Sequence, residues 1–184
     1  MFKELKSVPL DALELDPTNP RFAEDFSSED KPKSQQAIID HFLGKESDDG
    51  SSEDDPETGD KYGLDNLITS IRTIGFVPID KPVVKRIPSS DKYLVIEGNR
   101  RICACKLIRE KHNVEIDKRL THESVRGKSD NYPLPDNLIT TIENIDVLEL
   151  DVEGVDPEEE RKRERVILGV RHHGALLEWE PLPK

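Results

Sequence analysis

The sequence is poor in cysteine, in aromatic residues and in long apolar runs. Two of its 184 residues are cysteines and 5% are aromatic. No apolar run approaches the roughly 18–20 residues that a membrane span requires. Cys103 and Cys105 stand two apart in a predicted helix, so they point to different faces and do not pair with each other. These absences exclude a disulfide scaffold and a membrane protein, and they favour a reducing cytoplasm.

Apolar residues are also scarce relative to charged ones. Hydrophobic residues make up 34% of the chain and charged residues 36%, which allows only a small core. The length predicts a single domain over residues 1–184.

The acidity is concentrated in one segment. Residues 45–60 contain eight acidic residues and one basic residue, a net −7 of the chain's −12, so the remainder carries −5. The segment is also almost free of apolar side chains and therefore cannot bury enough surface to offset the entropy of ordering. This composition predicts a disordered acidic insertion.

The periodicity of apolar residues predicts the secondary structure. Helices are predicted at 33–43, 64–74, 102–110, 136–143 and from Asp156 onwards; strands are predicted at 7–15, 82–87, 92–97 and around 148–152. Residues 111–135 are polar and unpatterned and predict a long surface loop. This order of elements predicts a compact α+β domain.

The strongest chemical signal lies between Tyr93 and Arg101. An almost continuous apolar run ends at Glu97, Gly98 follows as a turn residue, and Arg100 and Arg101 open the next helix. Free N–H groups at a helix start, a glycine that permits close approach and two guanidinium groups together suit phosphate. The alternative is that both arginines are solvated and that the glycine serves only the turn.

Residues 64–107 resemble the N-terminal domain of the ParB/sulfiredoxin superfamily. The resemblance rests on the helix that ends at Gly75, on the strand around residues 82–84 and on the stretch 93–107. The residues in register with the ParB box Gly-Glu-Arg-Arg-x-x-Ala are Gly98, Arg100, Arg101 and Ala104. Residues 19–21, Asn-Pro-Arg, also resemble the turn after that family's first strand. The resemblance implies a small mixed sheet flanked by helices.

The ParB branch implies that the box binds the phosphates of a nucleoside triphosphate, CTP or ATP, together with Mg²⁺. The candidate nucleotide-binding residues are Glu97, Gly98, Asn99, Arg100, Arg101, Arg171 and His172. No catalytic residue and no protein metal ligand is assigned. ParB proteins carry Glu-Asn-x-x-Arg on a later helix, and the corresponding helix here lacks the Glu-Asn pair. Arg171 or a histidine beside it faces the nucleotide in one interpretation and forms a polar helix end in the other.

The sulfiredoxin branch implies a different chemistry. Sulfiredoxins carry a catalytic cysteine in the box, where this chain has Asn99. An amide cannot act as a thiolate nucleophile, and Cys103 and Cys105 lie further along the predicted helix. Sulfinic-acid reduction is therefore disfavoured. The five histidines show no ligand spacing for zinc.

Two classes of function stay open. The first is an NTP–Mg²⁺ switch or NTPase domain of a DNA-associated protein. The resemblance extends to outlying ParB-like proteins, some of which are linked to phage defence. The second is a protein-interaction or metal-dependent DNA-nicking module on the same fold, for which Asp91 and Glu97 are the candidate carboxylates. The acidity predicts that DNA is contacted only through regions outside this chain. ParB proteins continue at this point into a DNA-binding or effector region, so the resemblance implies that one follows here. A homodimer is left open.

Overall fold

The computed structural model describes residues 2–19, 32, 34–44, 62–77, 79–120 and 134–173, with the backbone alone at 115–120 and 171–173. The strands are β1 (Phe2–Pro9), β2 (Leu13–Leu15), β3 (Val83–Arg86), β4 (Tyr93–Glu97) and β5 (Asn144–Leu150). The helices are α1 (Gln35–Phe42), α2 (Leu64–Ile74), α3 (Asn99–Leu120), α4 (Asp136–Glu143) and α5 (Pro157–His173). This confirms the predicted α+β class. The acidic segment 45–60 lies outside the described residues.

The strands form one mixed sheet in the order β1-β5-β3-β4-β2. The β1/β5 and β3/β4 pairs are antiparallel, whereas β5/β3 and β4/β2 are parallel. The two edge strands, β1 and β2, are joined only by the 3-10 turn Leu10–Ala12. Four strand spacings in a flat sheet would separate them by about 19 Å, whereas the four residue steps from Pro9 to Leu13 reach about 14 Å at most. The sheet is therefore strongly curled, and its edges meet at this turn.

This curl explains why the single strand predicted at 7–15 is wrong. The alternation of apolar residues is present, but Leu10 is fully buried in a 3-10 turn that divides the segment into two strands. The two strands pair with different neighbours, β5 and β4. Local alternation does not contain that information.

Helix α3 is the central helix of the core. Five of its residues are fully buried: Ile102, Cys103, Ala104, Cys105 and Ile108. Helices α1, α2 and α4 and strand β2 all contact α3. Burying each of the two isoleucines contributes about 1.5–3 kcal/mol. Since three helices and a strand also contact α3, it is the element around which the domain is organised.

The surface loop predicted from residue 111 is wrong for residues 111–120, which continue α3 to Leu120. These residues contain neither glycine nor proline to end a helix. His112 is only 6% exposed, and its Nδ1 accepts the Leu134 backbone N–H at 3.0 Å. Residues 121–133 lie outside the described residues.

We expect His112→Ala to lower the free energy of unfolding by about 2 kcal/mol, because it leaves a buried N–H without its acceptor. Urea denaturation followed by circular dichroism measures this loss. Exposed Val114→Ala, two residues further along α3, is the control, with a change within about 0.5 kcal/mol. Equal effects of the two substitutions would show that the His112 contact contributes nothing.

Helix α5 begins as predicted at Asp156. Asp156 Oδ1 accepts the backbone N–H groups of Glu158 and Glu159 at 2.9 and 3.1 Å. The helix is held against the sheet by Lys85 of β3, which binds Glu160 and Glu164 at 2.9 and 2.6 Å. Burial alone would lower the pKa of Lys85, but its hydrogen bonds with these carboxylates outweigh burial and raise the pKa. No helix in the described part of the chain is long and apolar enough to cross a membrane.

Candidate anion-binding site

The turn between β4 and α3 is built around Gly98. The strand ends at Glu97, as predicted, and Gly98 has φ +98°. The helix begins at Asn99, three residues before the start that apolar periodicity predicts. A Cβ atom on Gly98 would lie 3.1 Å from Pro82 Cβ and 3.3 Å from Pro82 Cα. Glycine is therefore required both by the backbone conformation and by the close approach of the chain before β3.

Asn99 serves the fold through its side chain. It is 3% exposed, its Oδ1 accepts the Asp16 N–H at 2.8 Å, and its Nδ2 donates to the Val95 carbonyl at 2.8 Å. One amide at the first residue of α3 thus joins the residue after β2 to the middle of β4. The side chain of Asn99 is thus engaged within the fold, and a ligand role for Asn99 stays a prediction that concerns its backbone N–H.

Arg100 joins the starts of two helices. Its backbone lies in the first turn of α3, and its Nη1 donates to the carbonyl of Tyr62, just before α2. Gly63, the N-cap of α2, has φ +65° and no side-chain cap, and a Cβ on it would lie 3.5 Å from Arg100 Nη1. Tyr62 is itself fixed by its edge contact with the Phe42 ring of α1, with ring centroids 5.3 Å apart.

The electrostatic consequence is a concentration of positive charge. Each helix N-terminus carries a partial positive charge from its aligned peptide dipoles. Arg100 belongs to the first turn of α3, and its guanidinium group reaches the residue before the N-cap of α2. In α3 the ladder of helical hydrogen bonds starts with Ile102 N–H to Gly98 C=O at 3.0 Å, so the N–H groups of residues 99–101 precede it. Asp65 in the first turn of α2 offsets part of this charge. The arrangement suits an anion.

Arg101 contacts a different segment of the chain. It donates to the Asp80 carbonyl, its Nη2 lies 3.1 Å from Glu97 Oε2, and the same Nη2 lies 3.8 Å from Asp80 Oδ2. Arg101 is therefore paired with two carboxylates, one from the end of β4 and one from the segment before β3.

The remaining predicted residues, Arg171 and His172, lie in the last turn of α5. Their side chains are outside the described residues, so a position facing Arg100 stays a prediction. Within the described ranges, no group of three or more His, Cys, Asp and Glu side chains lies together as a metal site would require.

The cysteines of α3 are packing residues. Both are free and fully buried, and burial raises the pKa of Cys103 and of Cys105 to about 12. A thiol with such a pKa is protonated at neutral pH and is a poor nucleophile. This agrees with the argument from Asn99 against sulfiredoxin chemistry.

Sequence reasoning missed four residues of this site, because each approaches from a distant part of the chain. Tyr62 and Gly63 lie 37 or more positions before Arg100, and Asp80 and Pro82 lie in the segment that leads into β3. One signal was available: Gly63 stands directly before an amphipathic helix, where glycine can serve as the N-cap. Nothing in the sequence indicated that it would meet Arg100.

Two clefts among the described residues lie away from the turn at residues 97–101. A cleft of about 810 Å³ is lined by β1 and by Arg86, Asp91 and Tyr93, and one of about 610 Å³ lies between α2 and α3 around Ile68. Residues 97–101 line neither of them. The features of the turn that suit an anion are therefore its charge and its backbone geometry.

No protein-family model matches the chain, and no curated protein sequence matches it. Among solved structures, the chain is similar to the C-terminally truncated chromosome-partitioning protein ParB from Caulobacter crescentus complexed with CTP-gamma-S. The identity is 18% over 71% of this chain, and the TM-score is 0.31. This chain spans 56% of the length of that ParB chain.

Proposed function

We propose that this chain is a ParB-like domain that binds a nucleoside triphosphate, CTP or ATP, at residues 97–101, as the switch or NTPase domain of a DNA-associated protein. The observation that carries the proposal is the meeting of two glycine-led helix starts at Arg100. Backbone N–H groups, helix dipoles and a guanidinium fork are the groups that bind phosphate in proteins.

The roles of the individual residues follow from their positions. Gly98 lets the backbone approach the phosphates, the N–H groups at the start of α3 donate to them, and Arg100 adds a charge-assisted hydrogen bond of about 1.5–3 kcal/mol. Mg²⁺ usually binds through phosphate oxygens, waters and one or two carboxylates. Asp80, whose side chain lies beside the turn and is 58% exposed, is the proposed carboxylate ligand of Mg²⁺. Arg171 and His172 are proposed to face the nucleotide from α5.

The test is calorimetric titration of the protein with CTP, ATP and GTP in the presence of Mg²⁺. We expect one of these nucleotides to bind, and we expect Arg100→Ala/Arg101→Ala to weaken its binding by at least about tenfold, which corresponds to about 1.4 kcal/mol. Both side chains lie outside the hydrophobic core, so the variant is expected to fold.

The matched control is Arg161→Ala/Arg165→Ala. It removes the same two positive charges from the exposed side of α5 and should leave the affinity unchanged. Unchanged binding by the Arg100/Arg101 variant, or no binding of any nucleotide by the wild type, would overturn the proposal.

A further inference from the structure

We propose that Glu97 is an internal competitor for Arg101, which it holds until a phosphate group replaces it. This inference rests on the proposed function, because it concerns the anion that the turn binds. Its consequence is that the affinity of the site depends on the number of negative charges that the ligand carries.

The carboxylate of Glu97 contacts Arg101 where the oxygen of a bound phosphate would contact it. Glu97 ends β4 and Arg101 lies four residues later in the first turn of α3, with Gly98 between them. Their side chains are 18% and 22% exposed, and Nη2 of Arg101 lies 3.1 Å from Oε2 of Glu97. Asp80 adds a second carboxylate oxygen at 3.8 Å from the same Nη2. A guanidinium group so placed is largely neutralised by the protein's own acids.

A phosphate at the start of α3 would meet two opposing effects. The helix N-terminus and Arg100 attract it, and Glu97 repels it while occupying the second arginine of the box. A monophosphate carries too little charge to displace Glu97 from Arg101. A triphosphate carries more charge and more acceptor oxygens, so it can form a bidentate contact with the arginine that the carboxylate gives up.

The experiment compares wild type with Glu97→Gln, which keeps the size of the side chain and removes its charge. Calorimetric titrations use inorganic triphosphate, CTP and CMP with Mg²⁺ at low and high salt. We expect Glu97→Gln to bind triphosphate and CTP about fivefold tighter or more, and to gain less for CMP. The gain should shrink at high salt, because part of it is screened electrostatics.

Two controls separate this mechanism from simpler ones. Glu149→Gln removes a carboxylate that is equally well buried and pairs with Arg86 at 3.5 Å, and it should leave binding unchanged. In an Arg101→Ala background, Glu97→Gln should give a smaller gain than in the wild type, because it then relieves only the repulsion between Glu97 and the phosphate and releases no arginine. A full gain in that background would show that Glu97 acts by repulsion alone and would overturn the competition.

The outcomes also distinguish this inference from the proposed function. If the wild type binds a nucleotide and Glu97→Gln binds it no better, the competition is wrong and the nucleotide site stands. If neither protein binds any of the probes, the proposed function fails and the competition fails with it.

Discussion

Replacing Asn99 with alanine is expected to lower the free energy of unfolding by about 3 kcal/mol. The substitution leaves two buried backbone groups, the Asp16 N–H and the Val95 carbonyl, without the partners that lie 2.8 Å away in the wild type. Each such loss costs about 1–3 kcal/mol. Urea denaturation monitored by circular dichroism measures the change.

Two variants check the physical cause. Asn99→Asp keeps an acceptor for Asp16 N–H but loses the donor to Val95, and it buries a charge, so it should also be destabilised. Asn144→Ala, at an exposed asparagine that starts β5, should change stability by less than about 0.5 kcal/mol. A loss below about 1 kcal/mol for Asn99→Ala would show that water replaces both hydrogen bonds.

Gly98→Val is expected to cost about 3 kcal/mol of stability. The valine would have to adopt φ near +98° and would bring its Cβ to 3.1–3.3 Å from Pro82. Positive φ costs an L-residue about 1–2 kcal/mol, and overpacking adds about 1–3 kcal/mol. Thermal and urea unfolding of the variant measure the sum.

Gly154→Val is the matched control for the backbone conformation alone. Gly154 has φ +72° and nothing within 4 Å of an added Cβ, so its substitution should cost only the positive-φ penalty. The excess at Gly98 then measures the close contacts with Pro82 and with Arg101 Nη2, which would lie 3.3 Å from the added Cβ. Equal losses at the two glycines would mean that the segment before β3 moves away without cost.

Most elements of the fold could be predicted, because their signals are local. Helix α2 repeats its apolar residues at helical spacing and ends before Gly75, which has φ +80°, and α5 starts at the cap Asp156. Strand β4 is a nearly continuous apolar run that ends at Glu97 as predicted. Periodicity, caps and turn residues act over a few positions, and they survive in the folded chain where packing agrees with them.

The predictions that proved wrong depend on contacts distant in sequence. The segment 7–15 was predicted as one strand, but the curl of the sheet divides it at a buried Leu10. Residues 111–120 were predicted as a loop because they are polar, yet His112 bonds to Leu134, 22 positions away. Polarity distinguishes exposed from buried residues and does not distinguish a helix that leaves the core from a loop.

The candidate site likewise combines residues that could be predicted from local sequence with partners that could not. The residue types of the turn, a glycine followed by Asn99, Arg100 and Arg101 at a helix start, are visible in the sequence because strand, turn and helix are contiguous there. Their partners are not, since Tyr62, Asp80 and Asp16 are brought to the turn by the packing of α2, the segment before β3 and the end of β2. The contact of Arg100 with Tyr62 and the contacts of Arg101 with Glu97 and Asp80 therefore depend on the assembled core, because the neighbouring elements decide which groups lie within reach of a side chain in the first turn of a helix.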